Sequence, residues 1–327
     1  MTDDLELLRA ANPVRADDKR WPDGPLDFHA ERRLEELLGE RPRHMSRRLL
    51  IGVAAAGLAV AGGLGAVITG TGSSPAAAAP APLRPDGVST TVPLERIART
   101  ARAVAAHRPT RARRGCHVQE WSLSMETGPG AREPVSLPEE RWSRWNADGS
   151  GSLLVVATDP RHPGRPVIDG SGLRNRVVTD GEILSRKRYP PGSWGGESMY
   201  RMPPPSTPGA LRDYLAQRYR GAGSDTEPLL DALSELLTQW TPGTRETAAV
   251  VGMLARTRGL RPAGAVTDRL GRRGQAYTFG GRGAPDQRMV ILDPGSGKVL
   301  GLELSFVKDV KEYRVKAGDV LSYQAWI

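Results

Sequence analysis

Asp293-Pro294-Gly295-Ser296-Gly297-Lys298 is the segment closest to a phosphate-cradling loop. Such a loop needs a glycine five residues before Gly297, where Leu292 stands, and a hydroxyl after the lysine, where Val299 stands. It also needs a following helix whose first amides face the anion, and a strand pattern follows instead. The segment reads as a hairpin turn. Ser305 and Lys308 have the S-x-x-K spacing through which a lysine activates a serine. That spacing puts both side chains on one face only in a helix, whereas this stretch alternates as a strand. Neither a G-x-S-x-G elbow nor an H-E-x-x-H pair occurs. His29, His44, His107, His117 and His162 are scattered, and Cys116 is the sole cysteine, which excludes an intrachain disulfide and a CxxC zinc site. Cys116 reads as a buried small hydrophobe. Glu139-Glu140 reads as a solvated turn. With no base, nucleophile or ligand set in place, the sequence predicts binding rather than catalysis, and neither cofactor nor metal. Trp121, Trp142, Trp145, Trp194, Trp240 and Trp326 could line a groove, although core packing is the commoner use of the residue.

Composition narrows the partners. Hydrophobic residues make up 39% and charged residues 25%, a globular balance, and the formal net charge is +9. A basic balance suits nucleic acid, anionic lipid or an acidic polymer. The arginines are not grouped with aromatics along the chain, so a nucleic-acid platform is not expected.

Leu49 to Thr69 reads LLIGVAAAGLAVAGGLGAVIT and holds no charge. At about 1.5 Å per residue it spans about 31 Å, the thickness of a hydrocarbon core. Arg41, Arg43, Arg47 and Arg48 crowd its N-terminal flank, while the stretch from Gly70 to Ser89 holds only Arg84. Positive charge stays cytoplasmic, so the N-terminus is expected inside and the bulk of the chain outside. The rival reading is export with signal cleavage, because Ser46-Arg47-Arg48-Leu49-Leu50 resembles a twin-arginine signal and Ala76 to Ala79 offers a small-residue cut. A long preceding segment with helix-forming order of its own favours a retained anchor.

The expected organisation is a cytoplasmic segment over 1–48, a transmembrane helix over 49–69, an Ala/Pro/Gly linker over 70–90 and an extracytoplasmic α+β domain over 91–327. In the inner segment, Leu5, Leu7 and Leu8 precede Asn12-Pro13, and Leu34, Leu37 and Leu38 follow a cap at Asp27. These leucines are too few to build a core yet are clustered, which a partner groove would explain; Leu5, Leu8, Leu34, Leu37 and Leu38 are the candidate partner-binding residues.

In the outer domain a 3.6-residue stripe of Leu94, Ile97, Ala98, Ala101, Val104 and Ala105 predicts a helix behind Pro93. Strands are expected over His117–Met125, Arg141–Asn146 and Ser152–Ala157, with Arg176–Thr179 and Glu182–Ser185 as a hairpin around Asp180-Gly181. Three helices follow: one behind Thr207-Pro208, one from about Asp225 to Trp240, and one over Thr244–Arg258. Two more hairpins are expected, Ala265–Arg269 with Gln275–Phe279 and Arg288–Asp293 with Val299–Val307. In the last of these strands Leu300, Leu302, Leu304 and Phe306 are expected to share a face. Tyr313–Val315 and Val320–Tyr323 close the pattern. The fold class is α+β, an antiparallel sheet, half-barrel in form, packed with helices.

The chain resembles a family of actinobacterial single-pass membrane proteins often encoded beside extracytoplasmic-function sigma factors. The likeness rests on Asp4-Leu5-Glu6-Leu7-Leu8-Arg9, the basic run before the span, and Trp145-Asn146-Ala147-Asp148-Gly149-Ser150-Gly151. It continues through Pro208 to Leu215, Asp268 to Gly274, and Leu292-Asp293-Pro294 to Val299-Leu300-Gly301. The resemblance implies regulation across the membrane, with a sigma factor as the cytoplasmic partner, and carries no catalytic residue. The outer domain is also similar to the helix-covered half-barrels of periplasmic lipoprotein carriers, which implies, as the alternative, transport of a lipid or other apolar ligand.

The arginine asymmetry around Leu49–Thr69 predicts that a reporter active only outside the cytoplasm, fused after Ile327, is active. Protease added to intact protoplasts should remove the outer domain and protect the N-terminal segment; loss of the N-terminus with the C-terminus spared would reverse the orientation.

Overall fold

The computed structural model describes residues 80–126, 133–170, 175–193, 200–219, 221–280 and 285–327. The inner leucines Leu5, Leu7, Leu8, Leu34, Leu37 and Leu38, the span 49–69, the first part of the linker and Trp194 lie outside them. Among the described residues no helix is long and apolar enough to cross a membrane.

Nine strands form one antiparallel sheet. Its first half holds β2 (His117–Ser124), β3 (Val135–Trp145), β4 (Gly151–Ala157) and β7 (Glu182–Tyr189). Its second half is a continuous meander of β9 (Arg261–Thr267), β10 (Arg273–Gly280), β11 (Asp286–Leu292), β12 (Val299–Phe306) and β13 (Val320–Trp326). The order β7-β4-β3-β2-β13-β12-β11-β10-β9 joins the halves where β2 pairs with β13. Two small ladders lie outside the sheet: β1 (Arg113–Arg114) with β8 (Trp240–Thr241), and β5 (Val167–Asp169) with β6 (Arg176–Val178).

The helices are α1 (Leu94–His107), α2 (Pro208–Arg218), α3 (Thr226–Gln239) and α4 (Thr244–Leu254). On α1 the expected stripe buries Leu94, Ile97, Ala98 and Ala101. Pro208 opens α2 with its ring in the first turn, and the Leu211 amide donates to the Thr207 carbonyl at 2.9 Å. All eight residues from Thr247 to Leu254 in α4 are buried, as a helix enclosed on every side requires. Together with Leu229, Leu233 and Leu236 of α3, these side chains fill one face of the sheet against Tyr277, Val290, Leu292 and Val299. The alternate residues of the same strands build a second core on the opposite face, from Trp121, Val266, Ala276, Met289, Ile291 and Tyr323.

Several expectations are corrected. Asp180-Gly181 does turn the chain, with Gly181 at φ +86, but its flanks do not pair with each other. β6 pairs with β5 and β7 with β4, because Val178 and Leu184 pack into a small cluster with Ala157 and Val167. Glu139 and Glu140 lie within β3, which starts at Val135, and not in a solvated turn. The four residues expected on one face of β12 separate. A register shift opposite Ile291/Leu292 turns Leu300 to the second core, Leu302 packs on the helical core, and Leu304 and Phe306 join Leu123, Val315 and Leu321. The strand expected over Tyr313–Val315 is absent: Tyr313 ends a 3-10 turn, Lys311–Tyr313, and Val315 makes only an isolated bridge with Val310.

The linker ends earlier than its composition suggests. From Pro80 to Val92 the chain is strapped onto the second half of the sheet. The Leu83 amide donates to Glu303 Oε1 at 2.9 Å, and the Asp86 amide to the Ala265 carbonyl at 2.8 Å. The Val92 amide donates to Gln275 Oε1 at 3.0 Å, while Leu83 packs against the second core. Gly264, at φ +117, lets the strap in: a Cβ there would sit 2.2 Å from the Gly87 carbonyl oxygen. The contacts of the domain therefore reach back ahead of Thr91, at least to Ala81 and Leu83. A domain starting at Pro80 should unfold about 5–15 °C above one starting at Thr91, from several lost hydrogen bonds and the exposure of Leu83. Equal midpoints in a thermal scan would show that the strap adds nothing.

Candidate functional site

Two polar regions stand out. The first lies between α3 and the sheet. Glu120 on β2 and Glu139 on β3 are direct cross-strand partners, an arrangement that is unfavourable for like charges. Arg141 answers both, at 2.7 Å to Glu139 Oε1 and 3.4 Å to Glu120 Oε2. Gln324 Nε2 donates to Glu120 at 2.7 Å, and the Ser234 hydroxyl of α3 donates to Gln324. Half-buried Glu235, one residue on, accepts from Gln239, whose Oε1 takes the Tyr200 amide at 3.2 Å. Two carboxylates thus share one guanidinium, with Glu235 nearby. The two neighbouring glutamates hold Arg141 firmly charged. Burial, opposed by Arg141 and reinforced by Glu120, pushes the Glu139 carboxyl up, and burial pushes Glu235 up as well. Cys116 borders this seam, buried as expected. Desolvation raises its thiol to about 11, and its sulfur lies 3.4 Å from Ser143 Oγ. Burial of this kind disfavours the thiolate, the nucleophilic form. The seam docks α3, and a second arginine does the same further along, with Arg288 meeting Asp231, Glu227 and Asp286 at 3.0–3.1 Å.

The second region is the face of β3, β4 and β7 that points away from the helices. Pairing lays its side chains out in rows. Arg144, Ser152 and Arg188 form one row, and Trp142, Leu154 and Arg186 the next, with His117 of β2 continuing it beside Trp142. Glu140, Val156 and Ile183 form the third. His117 stacks on Trp142 at 4.7 Å between ring centroids and meets Glu140 at 2.6 Å. Arg144, Ser152, Arg186 and Arg188 are exposed, as is Ile183 at 47%. No ion pair to Arg144, Arg186, Lys187 or Arg188 is found among the described residues. Around the same corner Arg114 lies over the Trp145 ring at 5.5 Å, and burial together with nearby Arg201 lowers its affinity for its proton. Cations far apart in sequence and Trp142 are therefore assembled on this face by strand pairing, with Trp145 on the opposite face of the same strand, which spacing along the chain could not reveal.

The motif residues fall elsewhere. Asp293–Lys298 is a hairpin turn, with the Asp293 amide donating to the Lys298 carbonyl at 2.9 Å and Asp293 Oδ1 taking the Gly295 amide at 2.9 Å. Ser305 is buried on β12, and Lys308 lies beyond the strand's end. Among the described residues no three His, Cys, Asp or Glu side chains converge as a metal site. Trp121 and Trp240 are core residues, and Trp142, Trp145 and Trp326 are half-buried. His162 and Arg161 gather on Asp159, which also takes the Trp121 indole N–H at 3.3 Å, and Asp159 and His162 line a cleft of only about 10 Å³. A second cleft of about 170 Å³, between Glu133, Val135, Asn175 and Arg176, is smaller than a drug-sized ligand's pocket of about 300 Å³ or more.

The fold and these faces define an α+β domain, an antiparallel sheet packed with helices on one face. No family model matches the chain, and no curated protein matches it. Among solved structures, the complex of MucA and MucB from Pseudomonas aeruginosa aligns with 71% of this chain at 14% identity and a TM-score of 0.23. The chain spans about half, 53%, of that structure's length.

The raised Glu235 carboxyl sets a pH dependence. A folded-state value above the ordinary one of about 4.3 means that the folded form holds the proton more tightly. The resulting penalty is absent below the ordinary value and is complete once pH exceeds the folded value. Glu235→Gln, which keeps an acceptor for Gln239, should raise the unfolding midpoint at pH 7 by about 2–4 °C and change it little at pH 4. A loss at pH 7, or a gain independent of pH, would mean that Glu235 is stabilised as the anion.

Proposed function

We propose that this chain is a membrane-anchored extracytoplasmic binding or sensing protein with a regulatory role, acting by recognition and not by catalysis. One observation carries the reading. The sheet spends one face on a packed helical core and leaves the other, over β3, β4 and β7, open with Trp142, Ile183 and a set of cations that have no acidic neighbour among the described residues. An apolar and charged face left open in this way marks an interaction surface. The uncharged stretch Leu49–Thr69 and its arginine flank support the anchor.

The strap gives such an anchor a purchase on the domain. Residues 80–92 are hydrogen-bonded into β9, β10 and β12, so the domain is gripped a short way beyond the proposed span. The clustered leucines of the inner segment support a protein partner on the other side of the membrane, and the resemblance stated above supplies a sigma factor as the candidate. No observation favours the carrier alternative. The space a half-barrel would offer a lipid is occupied by Leu233, Leu236, Val251, Leu254, Tyr277 and Val290.

Crosslinking on the cytoplasmic side of native membranes, with the full tagged chain as bait, should capture a sigma factor. Leu34→Asp/Leu37→Asp should lose it, since an apolar anchor in a helix groove is worth about 2 kcal/mol or more, about thirty-fold in affinity. Recovery of the same proteins by wild type and mutant would remove the inner half of the reading.

A further inference from the structure

The two edges of the nine-stranded sheet are treated differently. The β9 edge is closed by the chain itself. The Asp86 amide donates to the Ala265 carbonyl, the Ala265 amide donates to Thr90 Oγ1 at 2.8 Å, and the Gly87 carbonyl presses on Gly264. The β7 edge is eight residues long, pairs with β4 on one side and has no strand on the other among the described residues. Unpaired strand edges are templates for another strand, and proteins normally blunt them.

We propose that β7 accepts an extended acidic segment of another protein as a tenth strand, the charge being read by Arg186, Lys187, Arg188 and Arg144. The proposal rests on the binding reading above and names the chemistry of the partner. Consecutive strand residues point to opposite faces, so Arg186 and Arg188 flank the edge on one face and Lys187 on the other. Arg144, two strands inward, shares a row with Arg188 and extends the field on that face. A carboxylate at every second position of an added strand would lie beside this row, where opposite charges across a ladder attract and like charges repel.

The same cations exclude a second copy of β7, which would bring Arg186-Lys187-Arg188 against its own kind. One inward charge or a proline is enough to deter self-pairing, and this protein covers its other edge outright. Four cations with no ion pair among the described residues go further: they select the sign of the visitor. Towards the other end of β7 the exposed Ile183 beside Val156 offers an apolar contact for one side chain of the added strand. An anionic membrane would use the charges and leave the edge amides unused, which is why the backbone decides between the two.

The test uses the full chain in zwitterionic nanodiscs and a fluorescent ten-residue peptide of alternating Glu and Val. Three comparisons accompany it: the Lys-for-Glu peptide, the Glu/Val peptide N-methylated at every second residue, and nanodiscs containing phosphatidylglycerol. The acidic peptide should bind and slow hydrogen exchange of the β7 amides. N-methylation should weaken it by about ten-fold or more, the Lys peptide should not bind, and Arg186→Glu/Arg188→Glu should cost about ten-fold or more. Equal binding of the N-methylated peptide, or protection falling away from β7, would overturn the proposal. So would phosphatidylglycerol occupying the arginines and displacing the peptide, which would make the face a lipid site. Absence of any peptide effect would sink the strand-addition idea alone, since capture of the cytoplasmic partner tests the regulatory reading independently.

Discussion

The pairing of β2 with β13 is the contact on which the rest of this domain depends. These strands come from opposite ends of the outer domain, and their ladder runs from Val118 and Trp326 to Ser122 and Ser322. Without it the two halves would be separate sheets, with β2 and β13 as two further open edges. At its centre Trp121 and Tyr323 are paired, with ring centroids 5.5 Å apart, and both are almost fully buried. Large aromatics on a cross-strand pair provide burial and orientation at one place. Because the last strand must return to the first, the contact closes late and across the whole chain, which makes the fold one of high contact order.

That closure also dictates where the helices go. Inserted between β7 and β9, α2, α3 and α4 lie over one face, while the other is left to the strap and the loops. α3 works in two ways. Its leucine stripe, Leu229, Leu233 and Leu236, enters the helical core, and its polar side reaches the sheet through Ser234, Glu235 and Asp231. The apolar stripe supplies most of the stabilisation, because hydrophobic burial dominates folding. The polar contacts contribute less and set position: an arginine that meets carboxylates from both helix and sheet fixes how far α3 may slide, as Arg288 does between Asp231 and Asp286.

Two consequences bear on function. The helical face is filled by Leu233, Leu236, Val251 and Leu254 against Tyr277 and Val290, and the proposed recognition uses the other face. The strap ties residues 83–92 to the second half of the sheet. Buried Glu303 receives the Leu83 amide and Arg269, and Arg269 in turn lies over the Tyr323 ring and donates to the Ala81 carbonyl.

Much of the secondary structure was legible in the sequence, because it is written in local periodicity. The stripe on α1, the leucines of α3, the β9–β10 and β11–β12 hairpins and the α+β class need only neighbours within a few residues. Misreadings arose where a distant contact overruled a local signal. Asp180-Gly181 has the chemistry of a hairpin turn, but Leu184 and Val178 gain more by packing on Ala157 and Val167 than by pairing their own strands. Pro80 to Thr90 has the composition of a linker, yet Glu303, Gln275 and Gly264, about 180 to 220 residues away in sequence, hold it as a strap. The sequence alone determined the charge, the sole cysteine, the uncharged span and the absence of catalytic signatures. Only the tertiary structure decided which face was filled, which edge stayed open, and that Arg144, Arg186 and Arg188 stand beside Trp142. Strand register is a property of pairs, and no single strand carries it.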